Sequence, residues 1–194
     1  MKILQTRIPG VVVLEPRVFP DSRGFFMETW SRDRYAEAGI GAEFVQDNLS
    51  FSGRGVLRGL HFQNPSPQGK LVGVLQGAVF DVAVDLRLGS PTFGEWVGME
   101  LTSENRRQMY VPEGLAHGFV VTGDSALFSY KCTRAYSPAD ERSLRWDDPE
   151  VGIRWPVAEP VLSPKDAAAP RLRDIPRELL FRAGSVRADG PPGA

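Results

Sequence analysis

The chain is poor in the residues that most often carry cross-links or metals. It has one cysteine, Cys132, and two histidines, His61 and His117, in 194 residues. A single cysteine excludes an intrachain disulfide and fits a reducing compartment. With so few His and Cys, a metal site would need carboxylates to complete it. Charge of one sign is also lacking: 23 Lys and Arg against 24 Asp and Glu leave a net charge of -1. That argues against a general nucleic-acid binder, while a local basic patch could still receive an anionic small molecule. No run of about 18 apolar residues occurs, so no segment reads as a membrane helix. The residues Met1 to Arg7 lack the apolar stretch of a signal peptide. A cytoplasmic protein is expected. There is no P-loop glycine pattern, no GxGxxG after a strand, and no GxSxG elbow.

What is present is mostly strand. Val11–Leu14 and Phe25–Trp30 read as short β runs. Ser31 is placed to cap a helix over Arg32–Ala38, with Gly39 just past its end. Runs rich in Val, Phe and Leu then recur between turn signals: 43–51, 55–63, 71–75, 77–87, 95–101, 107–111, 117–121 and 126–133. Many short strands with regular turns predict a sandwich or barrel. A chain of this length and apolar content predicts one domain, residues 1–182. The small, polar, Pro/Gly-rich tail 183–194 is expected to be disordered.

One strand alternates clearly. Phe80, Val82, Val84 and Leu86 fall on one face, and Asp81, Ala83, Asp85 and Arg87 on the other. Two readings are open: a strand with one solvated face, or a barrel whose polar interior holds a polar ligand.

Each histidine sits in a glycine-bounded motif. In Arg58-Gly59-Leu60-His61-Phe62-Gln63, alternation groups His61 with Gly59 and Gln63, and Arg58 with Leu60 and Phe62. Histidine titrates near neutrality and is the first candidate for proton transfer. His117 lies in Pro112-Glu113-Gly114-Leu115-Ala116-His117-Gly118-Phe119, where flanking glycines would let a ligand approach the backbone. Each could equally be a packed, hydrogen-bonded histidine. Lys70 opens an apolar strand; it is either solvated or turned inward to stabilise an oxyanion. Tyr130, in Phe128-Ser129-Tyr130-Lys131-Cys132, is either an interior aromatic or a general acid. Asp166 closes Leu162-Ser163-Pro164-Lys165-Asp166; if it reached His61 it would fix the imidazole tautomer and raise its basicity. Arg23, Arg58, Lys165, Gln46 and Asn48 are groups that could receive an anion.

Taken in order, these segments resemble a known family. The series is Asp21-Ser22-Arg23-Gly24-Phe25-Phe26-Met27-Glu28, Gln46-Asp47-Asn48, the His61 motif, Gly69-Lys70-Leu71-Val72, Asp81 to Arg87, Ser90-Pro91-Thr92-Phe93-Gly94, the His117 motif, Tyr130-Lys131 and Leu162 to Asp166. It is similar to that of dTDP-4-dehydrorhamnose 3,5-epimerases and related 3- or 5-epimerases of deoxysugar pathways. Leu115 departs from it, standing where the family often has Phe. The resemblance implies an all-β, cupin-like jelly-roll barrel (a double-stranded β-helix) with a few short helices. It implies a homodimer with an exchanged N-terminal strand, and a dTDP-linked 4-keto-6-deoxyhexose as substrate. It implies His61 as general base with Asp166 as its partner, Tyr130 as general acid and Lys70 facing the enolate oxygen. Arg23, Phe26 and Glu28 would contact the nucleotide, reaching the neighbouring subunit. Gln46, Asn48, Arg58, His117, Glu141 and Lys165 would contact pyrophosphate, sugar or base. No cofactor is implied. Metal cupins carry an HxH pair where this chain reads His61-Phe62-Gln63, so a metal-free site is expected. The alternatives are a single-site epimerase of an antibiotic-sugar pathway, a sugar ketoisomerase, a metal-dependent cupin, and a non-catalytic cupin that binds nucleotide sugars.

Overall fold

The computed structural model describes residues 1–185. Its strands are β1 (Lys2–Gln5), β2 (Val12–Glu15), β3 (Val18–Asp21), β4 (Gly24–Met27), β5 (Gln46–Gly53), β6 (Leu57–Gln63), β7 (Lys70–Asp85), β8 (Arg87–Leu88), β9 (Trp96–Thr102), β10 (Gln108–Val111), β11 (Leu115–Cys132), β12 (Glu141–Ser143) and β13 (Phe181–Arg182). Two short α-helices accompany them, α1 (Arg32–Glu37) and α2 (Pro164–Ala167). The fold is the expected all-β jelly roll of the cupin type.

Two long strands organise the molecule. β7 and β11 pair with each other along most of their length. The sequence reads each of them as two strands broken by a turn; the structure makes each continuous. The apparent turn at Gly77 is an irregularity inside β7, where the β7–β11 register shifts between Val121 and Ala126. Gly77 has φ 83°, and a Cβ there would lie 1.9 Å from the Ser125 carbonyl oxygen. Only glycine fits, so the position looks like a turn in sequence while the ladder continues past it.

The irregularity divides the pairing into two layers. The first runs β1, β2, β10, the first half of β7, the second half of β11, and β5. The second runs β9, the second half of β7, the first half of β11, β6 and β12. Between them lies a core of Val13, Val72, Val74, Val79, Ala83, Leu101, Met109, Leu115, Phe119 and Phe128.

The outer faces are covered unequally. The segment around α1 lays Tyr35, Ile40 and Ala42 over Val12, Leu14, Leu71 and Tyr110. Ser31 precedes α1 as expected, but its side chain makes no capping hydrogen bond. The chain after β12 folds back over the second layer, packing Leu144, Val151, Ile175, Leu180 and Phe181 on Leu60, Phe62, Val82, Val84 and Leu86. This settles the alternating strand. Its apolar face is buried outward under the C-terminal segment, and Asp81, Ala83 and Asp85, all fully buried, face inward. The reading with one solvated face is therefore wrong. On the first layer, Leu49 and Phe51 of β5 and Leu75 of β7 remain exposed. At the end of the described chain, the Ala183 amide donates to the Leu88 carbonyl and Ser185 to Arg182. The rest of the expected tail, 186–194, lies outside the described residues.

Candidate active site

Strand register gathers most of the site. Gln46 and Lys70 both pair with Cys132, and Asn48 and Val72 both pair with Tyr130. Directly opposed residues share a face, so two rows, Gln46–Cys132–Lys70 and Asn48–Tyr130–Val72, cross the inner face of the first layer. On the second layer, β6 brings His61 and Gln63, and β12 sets Glu141 against Gln63. These groups line one cavity of about 290 Å³: Gln46, Asn48, His61, Gln63, Lys70, Tyr130, Cys132, Tyr136 and Glu141, with Phe62 and Gln68.

His61 Nε2 lies 2.6 Å from Asp166 Oδ1. The imidazole is 28% exposed and the carboxylate 5%. α2 delivers that carboxylate: Ser163 caps it by accepting the Asp166 amide, and Pro164 opens its first turn. Burial pushes the Asp166 carboxyl up, but the His61 hydrogen bond and charge, with the Ser163 and Gly59 contacts, outweigh it and hold it below its ordinary value. An ionised carboxylate only accepts, so it fixes the proton on Nε2 and leaves Nδ1 as the lone pair.

Across the cavity, burial pushes the Lys70 ammonium down, against the opposing influence of Cys132, Asp81 and Glu141. Its Nζ lies 5.9 Å from the Tyr130 ring centroid. Burial pushes the Tyr130 phenol up, which keeps it protonated and able to donate. Gln46 Nε2 donates to Asn48 Oδ1 at 2.9 Å, and Glu141 is held by Tyr136 Oη at 2.9 Å and Lys165 Nζ at 2.5 Å. His61 also lines a second cleft, with Arg58, Ser163, Lys165 and Asp166.

Three expectations meet a different arrangement. Strict alternation puts Arg58 on the face opposite His61. In the structure His117 pairs with His61 and Phe119 with Arg58, so three β6 steps face two β11 steps and the alternation breaks. Arg58 thereby joins the same cleft, its Nε donating to Ser52 at 2.9 Å. His117, expected as a ligand contact, is 6% exposed and does not line the cavity. Its Nε2 lies 3.0 Å from both oxygens of the fully buried Asp81, and its ring stacks on Phe128. Burial pushes the His117 imidazole down and the Asp81 carboxyl up. Gly118 makes room for a strand, not for a ligand: a Cβ there would lie 2.7 Å from the Arg58 carbonyl oxygen. Third, Arg23, Phe26 and Glu28 lie outside the cavity. They ride on or beside the β3–β4 hairpin, with Arg23 paired to Asp21 at 2.6 Å and Glu28 to Arg34.

Five lining residues, Phe62, Gln63, Gln68, Cys132 and Tyr136, were not among those expected from the sequence. Gln63 and Cys132 share faces with His61 and Tyr130 by simple i, i+2 spacing, a signal that was available. Gln68 and Tyr136 come from loops and had none. Among the described residues, no three His, Cys, Asp or Glu side chains converge as a metal ligand set, and no helix is long and apolar enough to cross a membrane.

The comparisons with known proteins agree on one family. The family model of dTDP-4-dehydrorhamnose 3,5-epimerase matches residues 5–174. A protein of that name from Pseudomonas aeruginosa is 55% identical over 168 residues, covering 86% of this chain and 93% of the relative. The solved dTDP-6-deoxy-D-glucose-3,5-epimerase of Legionella pneumophila, in complex with dTDP-4-keto-L-rhamnose, superposes with a TM-score of 0.91 at 55% identity, over 93% of this chain and 97% of that one. ChmJ, a 3'-monoepimerase from Streptomyces bikiniensis, superposes at 0.86 with 37% identity and 92% coverage of both chains. The chain belongs to the dTDP-4-dehydrorhamnose 3,5-epimerase family.

Proposed function

We propose that this isomerase inverts C3 and C5 of a dTDP-4-keto-6-deoxyhexose by removing and returning a proton at each carbon. The observation that carries the reading is the His61–Asp166 pair facing Lys70 and Tyr130 across one polar cavity. A hydrogen beside the C4 ketone is acidic enough to remove only when the enolate is stabilised as it forms. His61 Nδ1 takes that proton, the C–H electron pair moves into the C–C bond, and the carbonyl π pair moves onto O4. Lys70 donates to the resulting oxyanion. Asp166 stabilises the imidazolium. Tyr130 gives its phenolic proton to the opposite face of the carbon, which inverts it, and exchange with water restores both side chains.

Gln46, Asn48 and Glu141 supply hydrogen bonds to the sugar. Arg58 and Lys165, in the second cleft that His61 lines, supply positive charge for the pyrophosphate. Inversion of both carbons is favoured over one because identity to 3,5-epimerases runs from 38% up to 55%, against 37% to the 3'-monoepimerase.

The working unit in this reading is a homodimer. Arg23, Phe26 and Glu28 lie outside their own chain's cavity, and the face bearing Leu49, Phe51 and Leu75 is uncovered. A second copy covers that face, and its hairpin brings these residues to the nucleotide. β1 already pairs with β2 of its own chain, so exchange of that strand is not needed to complete the sheet.

Incubation with dTDP-4-keto-6-deoxyglucose in deuterated water, followed by NMR, tests the chemistry. Deuterium is expected at C3 and C5 of an inverted product. Exchange at one carbon only would restrict the activity to a single-site epimerase, and no exchange would overturn it.

A further inference from the structure

The β3–β4 hairpin stands apart from both layers, its strands pairing only with each other. Its base is tied down: Gln108 Nε2 donates to the Thr29 carbonyl at 2.7 Å, and Tyr35 Oη donates to the same oxygen at 2.9 Å. Its faces alternate. Phe26 and Glu28 line a hollow on one side. Phe25 and Met27 turn to the other, where they line a cleft of about 230 Å³ against the outer face of the first layer.

On that side the contact with Phe25 comes from Arg106, whose guanidinium carbon lies 4.2 Å from the ring centroid. Arg106 lies between β9 and β10, and among the described residues it alone combines a side chain with positive φ, at 53°. Glycine adopts that conformation freely and asparagine tolerates it, whereas arginine does so rarely. The backbone therefore gives no reason for arginine here, and the reason must lie in its side chain. Arg106 Nε is buried with no hydrogen-bond partner among the described residues, and the side chain otherwise donates only to the Glu104 carbonyl. What the guanidinium offers the hairpin is its flat face against a ring, a cation–π contact.

We propose that Arg106 is a positioning residue: through Phe25 it sets the pose of the hairpin, and with it the nucleotide affinity contributed by Arg23, Phe26 and Glu28. This rests on the reading above, in which the hairpin reaches a second copy's nucleotide.

The test is Arg106→Gly, which relieves the turn and removes the guanidinium. KM for dTDP-4-keto-6-deoxyglucose and Kd for dTDP should rise about two- to fivefold, the worth of one exposed cation–π contact. kcat should be unchanged and the thermal midpoint not lowered. Phe25→Leu should give the same shift, the double variant no more than either alone, and Arg106→Lys a partial recovery. Unchanged KM and Kd in Arg106→Gly, or additive shifts in the double variant, would overturn the proposal. Phe26→Ala separates the two levels. If it weakens dTDP binding while Arg106→Gly does not, only the clamp is wrong. If neither changes binding, the hairpin's role in nucleotide binding fails as well.

Discussion

Replacing Asp166 with asparagine tests the proposed base most directly, because the change keeps shape and removes one charge. The carboxylate contributes in two ways. As a pure acceptor 2.6 Å from His61 Nε2, it holds the proton there and leaves Nδ1 free. An amide can donate as well as accept, so the tautomer is no longer fixed. The carboxylate also faces the imidazolium that forms when the substrate proton is captured. With charge centres about 4 Å apart and an effective dielectric of about 20, that attraction is about 4 kcal/mol. The figure needs no large discount for solvent, since Asp166 is 5% and His61 28% exposed. Placed in the barrier, about 4 kcal/mol is a factor of about 10³, inside the 10²–10⁴-fold range typical of a positioned base. Asp166→Asn should therefore slow deuterium wash-in and product formation by about 10³-fold, with Kd for dTDP unchanged by calorimetry. Because the two residues act as a unit, His61→Ala with Asp166→Ala should be no slower than His61→Ala alone. Turnover within a few-fold of wild type in Asp166→Asn, or additive losses in the double variant, would refute the reasoning.

Further outcomes follow from the same geometry. Tyr130→Phe should still wash deuterium into the substrate from the base side while making little inverted product by NMR; unimpaired inversion would assign the acid role elsewhere. Lys70→Met should lower kcat about 10²–10³-fold yet raise the thermal midpoint at neutral pH. The sign follows from desolvation, which holds the folded-state Lys70 pKa below 10.5, so stability rises with pH from the folded value up to the unfolded one and the half-buried ammonium costs stability below that window. In wild type, loss of the Lys70 proton should give an alkaline limb shifted below the ordinary lysine value of 10.5; a limb that survives unchanged in Lys70→Arg would belong to another group. Asp166 is held below its ordinary 3.8, so its stabilising contribution is complete above that value and fades as pH falls through the folded one. Acid unfolding of Asp166→Asn should show a correspondingly shallower pH dependence.

What could be read from the chain followed the range of the physics involved. Alternation over Phe80–Arg87 separated a polar face from an apolar one, because a strand with unlike faces leaves a period-2 trace. Whether the polar face met water or the interior could not be read, because the segment after β12 that covers the apolar face is irregular and carries no periodic signal. Gly77 was misread because the sequence does not distinguish a glycine that turns the chain from one that admits a neighbouring carbonyl. Arg58 was misplaced by the shifted β6–β11 register, a tertiary feature that alternation assumes away. Asp166 lies 105 residues from His61, and only the family resemblance linked them. Its local cap, Ser163-Pro164, carries the Ser and Pro of a helix start.

The two histidines show why register alone does not decide function. They are direct partners across β6 and β11, each with a carboxylate on Nε2, so pairing and ligation treat them alike. Burial separates them. His117 and Asp81 are sealed beneath the cavity wall, where burial disfavours charge on both partners, and neither lines the space a sugar would occupy. His61 keeps 28% of its surface open to that space while Asp166, behind it, is almost sealed. A base must be reachable on one side and supported on the other, and His61 has both. Asp81 is also among the groups that oppose the burial penalty on Lys70. Of the sealed pair it is Asp81, when ionised, that favours the charged form of Lys70, the residue proposed to face the enolate oxygen.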